Sequence, residues 1–151
     1  IKEVTTQKFY MMDRTDGASG SSSLLKPSKD HPHFIEQEVE VKTHSLEHLL
    51  DKVDWKRFKY IEHIKTDCEG KDFDVVKSIG KYLSKIVFIT SEMSNNLHHW
   101  HGSSDPQAFV DFMIQSGFVV IHHGNGEIVF FNKALEQEAY RDRLDFITLG
   151  L

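Results

Sequence analysis

Residues 60–93 read YIEHIKTDCEGKDFDVVKSIGKYLSKIVFITSEM, and the fold turns on how this stretch divides. Tyr60 to Asp67 holds Ile61 and Ile64 as burial candidates, and Glu69–Gly70 then supplies a break where the backbone turns, so 60–67 is expected to be a strand. Phe73, Val76, Ile79, Gly80 and Leu83 recur at helical spacing, with Lys77, Lys81 and Lys85 off that stripe, which predicts one amphipathic helix over 72–84. Ile86 to Thr90, IVFIT, is an unbroken apolar run suited to a strand covered on both faces, placed at 86–91. Strand, helix and strand within about 30 residues is the size of a right-handed parallel crossover unit.

Working outward, Phe9 to Met12 is apolar and Val39 and Val41 alternate with Glu38, Glu40 and Lys42, so strands at 6–12 and 37–43 are expected to form an N-terminal hairpin. Between them DRTDGASGSSS, residues 13–23, is turn-forming. Ser45 caps a predicted short helix, 46–52, whose Leu46, Leu49, Leu50 and Val53 make one stripe. On the other side, Asp105–Pro106 is a helix start, and Phe109, Phe112, Met113 and Gly117 complete that helix. Strands at 118–123 and 127–132 flank Gly124-Asn125-Gly126, which supplies the positive φ angles of a tight hairpin. A charged tail, with a short exposed helix, follows. The expectation is one α/β domain over 1–151: hairpin, serine-rich loop and short helix in 1–59, the core in 60–132, the tail in 133–151. Its sheet is mixed, with a parallel strand-helix-strand unit and a C-terminal antiparallel hairpin.

The 151 residues carry a formal charge of -5, without the basic excess that phosphate backbones require, so nucleic-acid binding is not expected. No apolar run approaches the ~18 residues of a membrane span. A single cysteine, Cys68, excludes an intramolecular disulfide and suits a reducing cytoplasm. The chain opens at Ile1 on residues that already read as extended structure, which suggests a piece of a longer product.

Chemistry concentrates in Lys65-Thr66-Asp67-Cys68-Glu69-Gly70. Two carboxylates two positions apart close the parallel strand, and ligands of open α/β sheets bind at that edge. Asp67 and Glu69 suit a ribose, a metal or a substrate hydroxyl; the plainer alternative is that they cap the following helix. Cys68 between two acids reads as a packed thiol, its thiolate disfavoured by burial and like charge. Histidines at 31 and 33, at His98, His99 and His101, and at 122 and 123 offer imidazoles for a metal. Adjacent histidines on an extended chain point opposite ways, however, so the competing expectation for 94–104 is a polar loop with Trp100 packed on the sheet edge.

The core stretch 61–83, followed by IVFITSEM at 86–93, resembles the FkbM-type family of S-adenosylmethionine-dependent methyltransferases, as do Ser22-Ser23-Leu24 and VKTHSLEHLL at 41–50. The resemblance spans roughly residues 9–131 and implies a partial Rossmann-like methyltransferase fold. Lys65, Asp67, Glu69 and Gly70 fall on the family's K-x-D-x-E-G motif, and Glu92 falls at the neighbouring strand end. It implies Asp67 and Glu69 as catalytic or substrate-orienting carboxylates, with Lys65, Gly70, Glu92, Ser22 and Ser23 near substrate or cofactor. The acceptor would be a small-molecule or saccharide hydroxyl. Thr66 and Cys68 stand where aliphatic residues are usual, and His44 where an acid is. The family's first strand, its glycine-rich cofactor loop and its second strand have no counterpart; Gly17 and Gly20 lie in the serine-rich loop and do not replace them. The chain alone is therefore expected to bind no S-adenosylmethionine and to be inactive. Strand 60–67 would be left with an open edge, to be covered by the N-terminal strand and loop or by the same strand of a second copy. The competing functional classes are a non-catalytic interaction or dimerisation module and a histidine-loop metal-binding domain.

Overall fold

The structure, a computed structural model, describes residues 4–13, 21–31, 35–93, 99–138 and 140. Among the described residues are strands β1 (Thr5–Met12), β2 (Ile35–Thr43), β3 (Ile61–Thr66), β4 (Ile86–Glu92), β5 (Phe118–Gly124) and β6 (Glu127–Asn132), with helices α1 (Leu46–Leu50), α2 (Asp72–Lys77) and α3 (Pro106–Gln115) between them. β1 and β2 form a separate antiparallel hairpin; the other strands make one mixed sheet in the order β3-β4-β6-β5. β3 and β4 run parallel, with Ile64 opposite Ile89, and β6 pairs antiparallel with both β4 and β5. The expected α/β architecture, its parallel unit and both hairpins are present.

IVFIT occupies the inner strand, where Ile86, Val87 and Ile89 are sealed from solvent. Ile64, Ile89 and Phe130 lie in register. On that face Ile89 and Phe130 pack with Val76, Ile79, Tyr82, Phe109 and Met113 from the helical segments. On the other face Phe88 and Phe131, also in register, form a half-buried ring pair 5.1 Å apart. α3 starts as its sequence dictates: the Asp105 side chain accepts from Gln107 N, and Pro106 takes the first turn, where no donor is needed. Asn125 and Gly126, at φ 55° and 78°, close the β5–β6 hairpin.

The helix expected over 72–84 is two pieces. α2 ends at Lys77, and a 3₁₀ segment, Gly80–Lys85, follows. Ser78 Oγ donates back to Val75 O at 2.7 Å and accepts from Leu46 N at 3.0 Å, while Glu47 N bonds Ser78 O at 2.8 Å, so α1 docks on the break. Gly80 then reverses the chain at φ +59°. The apolar spacing runs on across this point and conceals it. Gly80→Ala is expected to cost about 1–2 kcal/mol, the penalty for a side chain in left-handed backbone, measurable as a lower urea midpoint. The neighbouring Glu47 carboxylate can swing away, so φ carries the cost.

Two further expectations are corrected. The N-terminal strand pairs with β2 and not with β3, so it does not close the edge of 60–67; along that edge Glu62, His63 and Lys65 are exposed. Trp100 does not pack on the sheet edge: it is buried with Met12 and Leu25 in a second, smaller cluster. Gly17, Gly20, His33, His98 and the tail beyond 140 lie outside the described residues. Among the described residues, no helix is long and apolar enough to cross a membrane.

Candidate functional site

β3 ends at Thr66, so Asp67, Cys68 and Glu69 leave the sheet as a loop at the C-terminal end of the parallel pair. Thr66 itself is buried and donates to Ser91 Oγ on β4 at 2.8 Å. Glu69 takes the left-handed region at φ 47° and Gly70 follows at φ 89°. Gly70 is required there, since a Cβ would meet Leu25 Cδ1 at 3.1 Å and Trp100 Cδ1 at 3.3 Å.

Sequence-distant segments hold this loop in place. Ser23 Oγ donates to Glu69 O at 2.9 Å and accepts from Leu25 N at 3.0 Å. Residues 26–28 run beside 99–101 through His101 N to Lys26 O and Ser28 N to His99 O. The Trp100 side chain lies close enough to the Glu69 carboxylate to favour its charged form. Ser22 Oγ accepts from Met12 N at 3.2 Å at the end of β1. Both serines thus shape backbone: Ser23 positions Glu69, and Ser22 finishes the hairpin.

Three of the sequence-nominated acids converge. One carboxylate oxygen each from Asp67, Glu69 and Glu92 lie within 4.8 Å of one another, Asp67 exposed and the two glutamates half-buried. Helix capping does not account for them, because Lys71 occupies the cap position of α2 and no side chain bonds there. Burial, then the charges of Glu69, Asp67 and Asp72, push Glu92 up to about 7. Glu69 is raised by burial and by Asp67, against the influence of the Trp100 side chain. The Cys68 thiol is raised by burial and its acidic neighbours, as its sequence context implies, although it sits in the loop and not on the strand.

Asp72 was not visible as a site residue. It opens α2 and is only 5% exposed. Its Oδ2 accepts from Cys68 N at 3.3 Å, while Oδ1 is buried with no hydrogen-bond donor. The Thr66 hydroxyl close by favours the charged form but is donated to Ser91. Burial outweighs these contacts and raises Asp72. A carboxylate in a first helical turn reads as an ordinary partner for the helix dipole, which is why it is inconspicuous in sequence. Asp72 and Glu92 line a cleft of about 30 Å³ together with Ser104, Asp105 and Phe109.

Compared with protein-family models, curated proteins and solved structures, the chain finds no match.

The nearby lysines make their direct ion pairs with other acids. Lys65 Nζ is drawn to Glu127 on β6 at 2.9 Å, and Lys71 Nζ to Asp74 at 2.7 Å. Among the described residues no metal-competent group contains an imidazole: His31 meets His99 edge-on and Trp100 at a tilt, and His101 is exposed. The chemistry within reach is therefore that of clustered carboxylates: accepting hydrogen bonds from a hydroxyl, taking a proton, or holding a cation.

Proposed function

We propose that this chain is the acceptor-side, C-terminal portion of an FkbM-like O-methyltransferase with a partial Rossmann-like fold. The observation that carries the reading is the convergence of Asp67, Glu69 and Glu92 at the C-terminal ends of a parallel strand pair, the positions that the resembling motif nominates. Asp67 is the exposed member and the group to orient an acceptor hydroxyl and take its proton. Glu69, beside Trp100 and held at its backbone by Ser23, shapes the floor beneath it. The acceptor is a small-molecule or saccharide alcohol, and the setting a reducing cytoplasm.

The residues present do not fit S-adenosylmethionine. Among the described residues no strand leads into a turn with the several glycines that let backbone wrap a nucleotide, and a cleft of about 30 Å³ is far below the ~300 Å³ or more of a ligand-sized pocket. On this reading another part of the enzyme would hold the cofactor, and no step through it is assigned to this chain. The open edge of β3 is the surface on which that part, or a second copy, would add a strand.

The test has two arms. Calorimetry of residues 1–151 with S-adenosylmethionine is expected to show no binding; micromolar affinity would overturn the half-site reading. The full gene product is expected to move labelled methyl groups onto hydroxyl acceptors, with Asp67→Asn lowering kcat by about 10²–10⁴. No transfer by the full product would overturn the methyltransferase reading itself.

A further inference from the structure

We propose that Asp67, Glu69 and Glu92, with Asp72 behind them, bind a hard divalent cation. The inference concerns these residues alone and holds whether or not the chain serves methyl transfer. Its first ground is geometric: hard cations sit about 2.0–2.6 Å from their oxygens, so ligands around one ion lie up to about 5 Å apart. The three carboxylate oxygens at the strand ends lie within 4.8 Å of one another.

The second ground is independent of that cluster. Asp72 Oδ1 is shielded from solvent on a residue 95% buried and has no donor, a costly condition for a carboxylate unless a proton or a cation compensates it. Asp72 shares the cleft with Glu92, and its charge acts on both Glu92 and Glu69. The cleft, at about 30 Å³, is large enough for a water or an ion. The local ammonium groups are committed elsewhere, Lys65 to Glu127 and Lys71 to Asp74.

The donor set selects the ion. Carboxylates without imidazole favour calcium, magnesium or manganese over zinc or copper. The exposed Asp67 leaves one side of the site open to water or to a further oxygen ligand, as such ions commonly require.

The experiment uses the chain stripped with chelator and then titrated with Ca²⁺, Mg²⁺ or Mn²⁺ near neutral pH, read by thermal unfolding and calorimetry, with Mn²⁺ also followed by water-proton relaxation. At a hundredfold excess over Kd, Tm is expected to rise by about 5–10 °C. Glu92→Gln and Asp67→Asn, which relieve repulsion and so leave folding intact, should each weaken binding at least about 10-fold. Asp111→Asn, on the exposed face of α3 and outside the acidic cluster, should not change it. No Tm rise with any of the ions would overturn the proposal. So would binding that survives both site substitutions, because the ion would then lie elsewhere, and so would Mn²⁺ relaxation identical in the wild type and Glu92→Gln.

Discussion

Phe109→Ala is expected to destabilise the protein by about 3–5 kcal/mol, a large share of the 5–15 kcal/mol that holds a typical domain together. Phe109 is 2% exposed, stacks on Phe73 at 4.9 Å and meets Phe130 of β6 at 5.2 Å, so its ring joins α2, α3 and the sheet. Truncation removes apolar burial and leaves a cavity that three elements would have to collapse together to fill. Ile114 on the same helix is 54% exposed and supplies the control: its replacement by alanine should change stability by no more than about 0.5 kcal/mol. Urea unfolding decides it, through a lowered midpoint at unchanged slope for Phe109→Ala alone. Equal losses at both positions would mean that α3 does not pack as described.

The second large effect is one of pH. With chelator present, stability is expected to fall as pH rises from about 4.5 towards 7. Glu92 carries a folded-state pKa raised from 4.5 to about 7, so the folded chain holds a proton that the unfolded chain releases. That contribution is fully present below 4.5 and is lost as pH rises through 7. Two and a half units would correspond to about 3.4 kcal/mol for a fully shielded group; Glu92 is only half-buried, and screening reduces this to about 1–2 kcal/mol. Glu69 and Asp72, raised for the same reason, act in the same direction. Asp74 and Glu127, lowered by their lysines, act oppositely and on the acid side, below the ordinary carboxylate range. Glu92→Gln should therefore flatten the decline between pH 5 and 8 and raise Tm at the upper end. An unchanged pH slope in that variant would assign the titration to other groups.

Much of this arrangement is written locally. IVFIT admits little but an inner strand, the alternation at 37–43 specifies a half-covered one, and Asp105–Pro106 and Gly124-Asn125-Gly126 each demand a particular backbone. The interruption at Ser78 and Gly80 was not legible, because it depends on α1 supplying Leu46 N and Glu47 N to Ser78 across more than thirty positions. The site divides in the same way. Asp67 and Glu69 could be nominated from the strand they close and Glu92 from the family resemblance, whereas the burial of Asp72 and the seat of Trp100 beside Met12 and Leu25 arise only when remote segments meet.

The bond from Ser23 to Glu69 bridges 46 positions along the chain. Closing it costs about as much chain entropy as closing β4 onto β6, where Phe88 meets Phe131. The acidic turn is the portion of the sheet's rim whose shape depends on a remote segment, since the amino-terminal arm supplies the bond that holds the Glu69 backbone. The aim of the carboxylates therefore answers to the amino-terminal arm as well as to the strands that carry them.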